Sequence, residues 1–284
     1  MHRYRSLLFA PGNRERMIEK TTQLPADAVV LDLEDAVPRP DLDAARQTIR
    51  ASLKNLRWTA SDIYVRVNAG EEGLRDLEAL GDVVAGILIP KVESPEDIGR
   101  IRSWLGASRV KGHAKVPLIA TIETALGAVR ALSTFESFGP IVGLIYGSQD
   151  FAASIGSREV GEAASISLGR LAIPTIAAAL GAQAIDSAAM RLHDDESLAT
   201  DVNTARALGF TGKVCIHPAQ LAVVNAGFGS HSGDRDWAKR VVSEYDRALA
   251  EGRGAIQIEG ELIDQAHYVL AQRLLAVQSG KRNA

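Results

Sequence analysis

Two acids stand where short apolar runs end. In Val116–Gly127, VPLIATIETALG, strand alternation places Ile119, Thr121 and Glu123 on one face and Ala120 and Ile122 on the other, so the run delivers the Glu123 carboxylate to a strand's carboxyl end. A second run of the same design, IVGLIYGSQDF at Ile141–Phe151, brings Asp150 to the end of the next strand, after the break offered by Gly147 and Ser148. Carboxylates held that close raise each other's pKa and resist joint ionisation unless a cation sits between them. Oxygen-only ligands suit a hard ion. The residues therefore predict a magnesium site built by Glu123 and Asp150.

More charge recurs at the same position of other runs. In Leu31-Asp32-Leu33-Glu34-Asp35 the alternation turns Leu31 and Leu33 outward and Asp32 and Glu34 inward. Arg66 belongs to the inward set of Tyr64–Asn68, and further runs end at Lys91 to Glu93 and at His217-Pro218. Loop solvation explains one such residue more easily than a registered series. Blander pairings remain open: Lys91 with Glu123 and Asp150, or Arg66 with Glu34. Acids around Lys91 would keep it charged, against a Schiff-base role. Cys215 and His217 share a strand face but make a poor zinc site without companions.

These residues need a scaffold that gathers strand ends. Apolar runs of strand length begin near Ser6, Asp27, Asp62, Gly86, Val116, Ile141, Ala182 and Gly212. Helical spacing or composition marks the segments between and after them: Asn13–Thr22, Pro40–Leu53, Leu74–Leu80, Pro95–Leu105, Thr124–Phe135, Glu159–Leu180, Glu196–Leu208 and Ala219–Asn225. Eight alternations with right-handed crossovers predict a parallel sheet closed into an α/β (β/α)8 TIM barrel over residues 1–226. A doubly wound open sheet would advertise a glycine-rich first turn, and PGNRER has one glycine. From Gly227 the chain becomes polar and glycine-rich. A helix near Trp237–Ala250, a ribbon-like IQIEGELID and a terminal helix follow. Residues 227–284 are thus expected to be a C-terminal extension free to cover the mouth or to reach a neighbouring subunit.

Bulk properties narrow the partners. With 46% hydrophobic and 24% charged residues the chain is too apolar for disorder. Its formal net charge of −3 argues against nucleic acid as a partner. No apolar stretch approaches the roughly 18 residues of a membrane-spanning helix, and the first residues lack a secretory apolar core. One cysteine, Cys215, excludes an intrachain disulfide framework and suits a reducing compartment, so a cytoplasmic protein is expected.

Seven motifs in order, LLFAPGNRERM, ADAVVLDLEDAV, VRVNAG, ILIPKVES, IETALGAV, GSQDFAASIG and GKVCIHPAQ, resemble the citrate lyase beta subunit family of the HpcH/HpaI superfamily, which includes malyl-CoA and citramalyl-CoA lyases. The resemblance runs from about Arg5 to the terminal helix. It implies a (β/α)8 barrel, a homotrimer, and magnesium-dependent cleavage of a β-hydroxyacyl-CoA to acetyl-CoA and a short α-keto acid. It places the metal acids on Glu123 and Asp150, with Glu123 also meeting substrate, and the substrate-binding, catalytic arginine on Arg66. It places the proton-transfer acid on Asp264 in GELIDQ, supplied by an adjacent subunit. Asp32, Glu34 or Asp35 would hold metal-bound waters. Arg14 and Arg16, with Arg3 and Arg5, are candidates for coenzyme A phosphates, with a solvated basic face the other reading. The resemblance also admits a malyl-CoA thioesterase, a citrate lyase component acting on a carrier-protein thioester, and a noncatalytic ligand-binding barrel. GSQDF carries Gln149, and AIDSAAMRLHD lacks the family's usual glycine-valine pair. Both departures bear on the acyl group more than on the metal.

Overall fold

The computed structural model describes residues 3–108, 112–136, 141–157, 168–229 and 232–279. The first half of the chain runs β1 (Ser6–Pro11), α1 (Glu15–Thr21), β2 (Ala28–Asp32), α2 (Leu42–Asn55), β3 (Asp62–Arg66), α3 (Gly70–Leu80), β4 (Ile87–Ile89) and α4 (Pro95–Ala107). Next come β5 (Leu118–Ile122), α5 (Ala125–Glu136), β6 (Gly143–Tyr146), α6 (Ser148–Ser154), α7 (Leu168–Ala179), β7 (Gln183–Asp186), α8 (Asp195–Ala207), β8 (Gly212–Cys215) and α9 (Gln220–Gly227). Each strand pairs in parallel with its successor, and β8 returns to β1 through Ser6–Lys213 and Leu8–Cys215, closing an eight-stranded barrel. No helix among the described residues is long and apolar enough to cross a membrane.

All eight expected runs form strands, including the short AQAIDSA, whose four β7 residues are buried. The alternation read from sequence is the alternation of the barrel. Leu7, Val30, Tyr64, Leu88, Ile119, Ile145 and Ile185 fill the interior, while Leu8, Leu31, Val65, Ile87, Ala120 and Leu144 pack outward against the helices. Two helical expectations change. α3 begins at Gly70, ahead of the expected Leu74, and the seven-residue α6 was unforeseen. Of the expected Glu159–Leu180 helix, α7 occupies Leu168–Ala179, and residues 158–167 lie outside the described residues.

The amino end of the barrel is sealed. Gln183 holds both backbone groups of Tyr4, accepting from its N–H at 3.0 Å and donating to its carbonyl at 2.7 Å, and the Tyr4 hydroxyl meets Asp62 and Tyr64. Arg5 forks onto Asp27 at 2.7 and 2.8 Å. Arg5 therefore stands at the end opposite the first turn, the length of β1 away from Arg14 and Arg16. The expectation that these arginines form one phosphate-binding group is corrected for Arg5, whose guanidinium is committed to Asp27.

Outside the sheet, an ionic quartet, buried except for a half-buried Asp201, joins four elements. Asp186 of β7 accepts from Arg170 of α7 at 2.8 Å and from Lys213 of β8 at 2.6 Å, and Asp201 of α8 accepts from the same two cations. Lys213 and Asp186 are register partners on adjacent strands, so the pairing itself brings their charges together. Cys215, next on the outward face of β8, is fully buried, and burial pushes its thiol up to about 12.

A second compact unit begins at Gly229. It holds α10 (Ser232–Ala250), the antiparallel hairpin β9 (Ile256–Ile258) and β10 (Glu261–Ile263), and α11 (Gln265–Ser279). The hairpin turns on Glu259 and Gly260, both at positive φ, as a two-residue loop of this twist requires. Val241, Tyr245, Ile256, Ile258 and Ile263 form its core, with Tyr245 and Tyr268 stacked at 4.9 Å.

Candidate active site

The carboxyl ends of β2 to β6 converge on a set of charges. β2 ends at Asp32, 2% exposed, whose carboxylate accepts from the backbone N–H groups of Glu34 and Ala36 and so turns the chain out of the strand. Asp32 is the register partner of Arg66 on β3, and the pair locks into a fork: Arg66 Nε to Oδ1 at 2.6 Å and Nη2 to Oδ2 at 2.7 Å. The Arg66 guanidinium also lies 3.0 Å from Glu34, 3.3 Å from Asp35, and over the Phe9 ring at 5.4 Å from its centroid. The sequence suggested Glu34 as its partner; the stronger bond is to Asp32. Three of the five guanidinium hydrogens are spent on Asp32 and Asp35, which leaves donors for a ligand oxygen.

Glu123 follows β5 on its inward face and is 3% exposed. Two features hold it. Its Oε1 accepts from the Lys91 backbone N–H at 2.7 Å, and Gly147 leaves room for it: a Cβ at Gly147 would stand 2.4 Å from the Glu123 Cβ and 2.6 Å from Oε2. Thr124 then starts α5, its Oγ1 accepting from the Gly127 N–H. Asp150 stands not at the tip of β6, as expected, but in the first turn of α6, where the helix dipole favours an acid. The reason is Gly147, which ends the strand and caps a short helix instead of making a simple turn. Asp150 is half-buried.

The electrostatics describe a site short of positive charge. Burial, then the Glu34 and Asp150 carboxylates, push Glu123 up to about 8 against the opposing Lys91 amide and Arg66. Burial also raises Glu34, opposed by Arg66 and Lys91. Lys91 Nζ lies 2.8 Å from Glu34 and 3.3 Å from Asp35. Five acids (Asp32, Glu34, Asp35, Glu123, Asp150) thus face two cations (Arg66, Lys91). Glu34 Oε2 is buried without a hydrogen bond, although the Arg66 guanidinium stands 3.0 Å away as a charge partner. Hard oxygen donors in excess, one of them orphaned, fit a hard divalent cation. No three His, Cys, Asp or Glu side chains among the described residues converge as a ready-made metal cluster. An ion held by Glu123 and Asp150 would complete its shell with water or ligand oxygens, the habit of magnesium. Each Asp32 oxygen already accepts twice, from Arg66 and from a backbone N–H, whereas Glu34 and Asp35 keep lone pairs able to hold waters.

Other expected residues lie elsewhere. His217 is half-buried in the loop after β8, its ring 5.7 Å from His193, and Cys215 is buried in the wall with no zinc cluster around it among the described residues. Arg14 and Arg16 are exposed after β1. Asp264 precedes α11 in the second unit, its side chain 54% exposed, accepting from the Ala266 N–H at 3.0 Å and bonded to His267 Nδ1 at 2.8 Å. Those bonds hold its carboxyl below the usual range. Phe9, which underlies Arg66, was not anticipated, although its inward parity with Leu7 on β1 was there to be read.

A closed parallel barrel with charged groups gathered at its carboxyl end defines a class of barrel enzymes that bind small polar molecules at that mouth. Within it, the chain belongs to the HpcH/HpaI aldolase/citrate lyase family, whose profile matches residues 5–218. The chain is 34% identical over 299 residues to the mitochondrial citramalyl-CoA lyase of Homo sapiens, covering 97% of this chain and 86% of that one. It is 32% identical over 278 residues to a (3S)-malyl-CoA thioesterase of Cereibacter sphaeroides, covering 97% and 94%. The crystal structure of CitE from Mycobacterium tuberculosis in complex with magnesium, acetoacetate and coenzyme A superposes with a TM-score of 0.77 at 30% identity, covering 96% of this chain and 97% of that one.

Proposed function

We propose that this protein is a magnesium-dependent lyase that cleaves a malyl- or citramalyl-type β-hydroxyacyl-CoA to acetyl-CoA and a short α-keto acid. The observation that carries the reading is the acid-rich mouth in which a buried Glu123, an Asp150 and a forked Arg66 meet. The citramalyl-CoA lyase relative and the CitE complex with magnesium and coenzyme A support it.

Cleavage requires the hydroxyl proton to leave, the carbon–carbon bond to break, and its electron pair to settle on the thioester as an enolate, which a proton then quenches. Glu123 and Asp150 would hold magnesium, which when bound polarises substrate oxygens and lowers the hydroxyl's pKa. Arg66, held rigid by Asp32, would direct its remaining N–H groups at the enolate oxygen. Glu34, whose Oε2 lacks a hydrogen bond, would orient a metal-bound water. Asp264 of a second copy would move the proton at the acetyl carbon. Its bonds to His267 and to the Ala266 amide keep its pKa low, and burial on docking would raise it toward the range a proton carrier needs.

A second reading, hydrolysis of the same thioester, is favoured by the likeness to the (3S)-malyl-CoA thioesterase. Purified protein incubated with malyl-CoA or citramalyl-CoA and magnesium separates the two. Keto acid plus acetyl-CoA supports the lyase, free hydroxy acid supports the thioesterase, and no turnover of either compound overturns both.

A further inference from the structure

Lys91 is one of two non-glycine residues at positive φ among the described residues, at 48°; the other, Glu259, is accounted for by its hairpin turn. An L-residue enters this region at a cost and stays there only when its surroundings hold it. What the conformation achieves is visible in two consecutive amides. In a regular strand, neighbouring N–H groups point to opposite sides. Here the Lys91 N–H donates to Glu123 Oε1 at 2.7 Å and the Val92 N–H donates to the Thr121 carbonyl at 3.2 Å, both toward the β5 side. The left-handed residue thus re-aims the chain just past the end of β4.

The same residue sends its ammonium into the acids. Nζ lies 2.8 Å from Glu34 and 3.3 Å from Asp35, and its charge also acts on Asp150. The charged groups facing it are Glu34 and Asp35 after β2, Arg66 on β3, Glu123 after β5 and Asp150 on α6. Lys91 thus acts on both proposed metal acids by separate routes, through its backbone N–H on Glu123 and through space on Asp150, each favouring the ionised carboxylate.

We infer that Lys91 is a positioning residue with two separable effects: its left-handed amide presets Glu123 as a ligand, and its ammonium is a built-in counter-ion that shares the acid cluster with the divalent cation. This rests on the reading that Glu123 and Asp150 take magnesium.

The test is calorimetric titration of magnesium chloride into full-length protein, with thermal unfolding in chelator alongside. Lys91→Gly keeps the backbone conformation and loses the charge; it is expected to bind magnesium about three- to tenfold tighter than wild type and to melt lower without metal. Lys91→Met, which keeps the stem, should shift the same way, and Lys91→Arg should stay within about twofold of wild type. Lys91→Val, whose β-branched side chain expels it from the left-handed region, should bind about tenfold more weakly than Lys91→Gly. A merely structural lysine would weaken magnesium binding when removed, so affinities in Lys91→Gly and Lys91→Met that are unchanged or lower overturn the counter-ion, and equal affinities in Lys91→Val and Lys91→Gly overturn the preset amide. Wild-type protein that gives no magnesium heat overturns the functional reading and this inference together; binding in wild type with unmoved variants overturns this inference alone.

Discussion

Glu123 carries a measurable sign. Its carboxyl sits at about 8 in the folded, metal-free protein against an ordinary 4.5. Between those values the folded state keeps a proton that the unfolded state has lost, so this group makes stability fall as pH rises from 4.5 toward 8. Metal-free protein should lose on the order of 4 kcal/mol from this source across that window, and Glu123→Gln should flatten the loss. Chemical denaturation at pH 5.5 and pH 8 in chelator measures both; parallel profiles for the two proteins would remove the perturbation. Glu123 was legible in sequence because a period of two carries it inward past an apolar run. Its coupling to the Lys91 amide was not, because side-chain-to-backbone contacts between neighbouring strands leave no trace in spacing. Arg66 shows the same limit: the alternation placed it inward, but only the register reveals that Asp32 stands beside it.

At the scale of elements, the site depends on how β6 hands over to α6. Gly147 is required there because any Cβ meets Glu123, with which it would compete for the same space. Gly147→Ala should cost about 1–3 kcal/mol by overpacking and weaken magnesium binding at least tenfold; denaturation and calorimetry read the two effects separately. The sequence presented Gly147-Ser148 as a break, which is correct, but a seven-residue helix is too short to show a period, so Asp150 was assigned to a strand tip. Seven of the eight strands were legible because their β-branched and leucine runs are bounded by turns; β7, QAID, was legible only from its place in the alternation. Elsewhere the barrel wall relies on the quartet of Arg170, Asp186, Asp201 and Lys213. Lys213→Met strands Asp186 beside a single remaining cation and should cost about 3–5 kcal/mol in denaturant unfolding without changing magnesium affinity.

For the whole molecule, the separate compact unit from Gly229 carries the one proposed proton carrier, Asp264, on an exposed turn. If Asp264 serves a neighbouring barrel, Asp264→Ala should lower turnover by about 10²-fold or more with magnesium affinity intact. Mixing it with Glu123→Gln should then restore activity, because hybrid assemblies contain mouths with both groups native. No recovery after unfolding and refolding the mixture would exclude service to a neighbouring barrel, and undiminished turnover in Asp264→Ala would place the residue outside the chemistry. The barrel wall supplies a different tool. The chain's lone thiol, Cys215, is sealed from solvent and held protonated far above neutrality, so alkylating reagents must wait for the sheet to open between β1 and β8. The labelling rate at this atom is then a clock for barrel opening, and bound ligands that clamp the mouth should slow it.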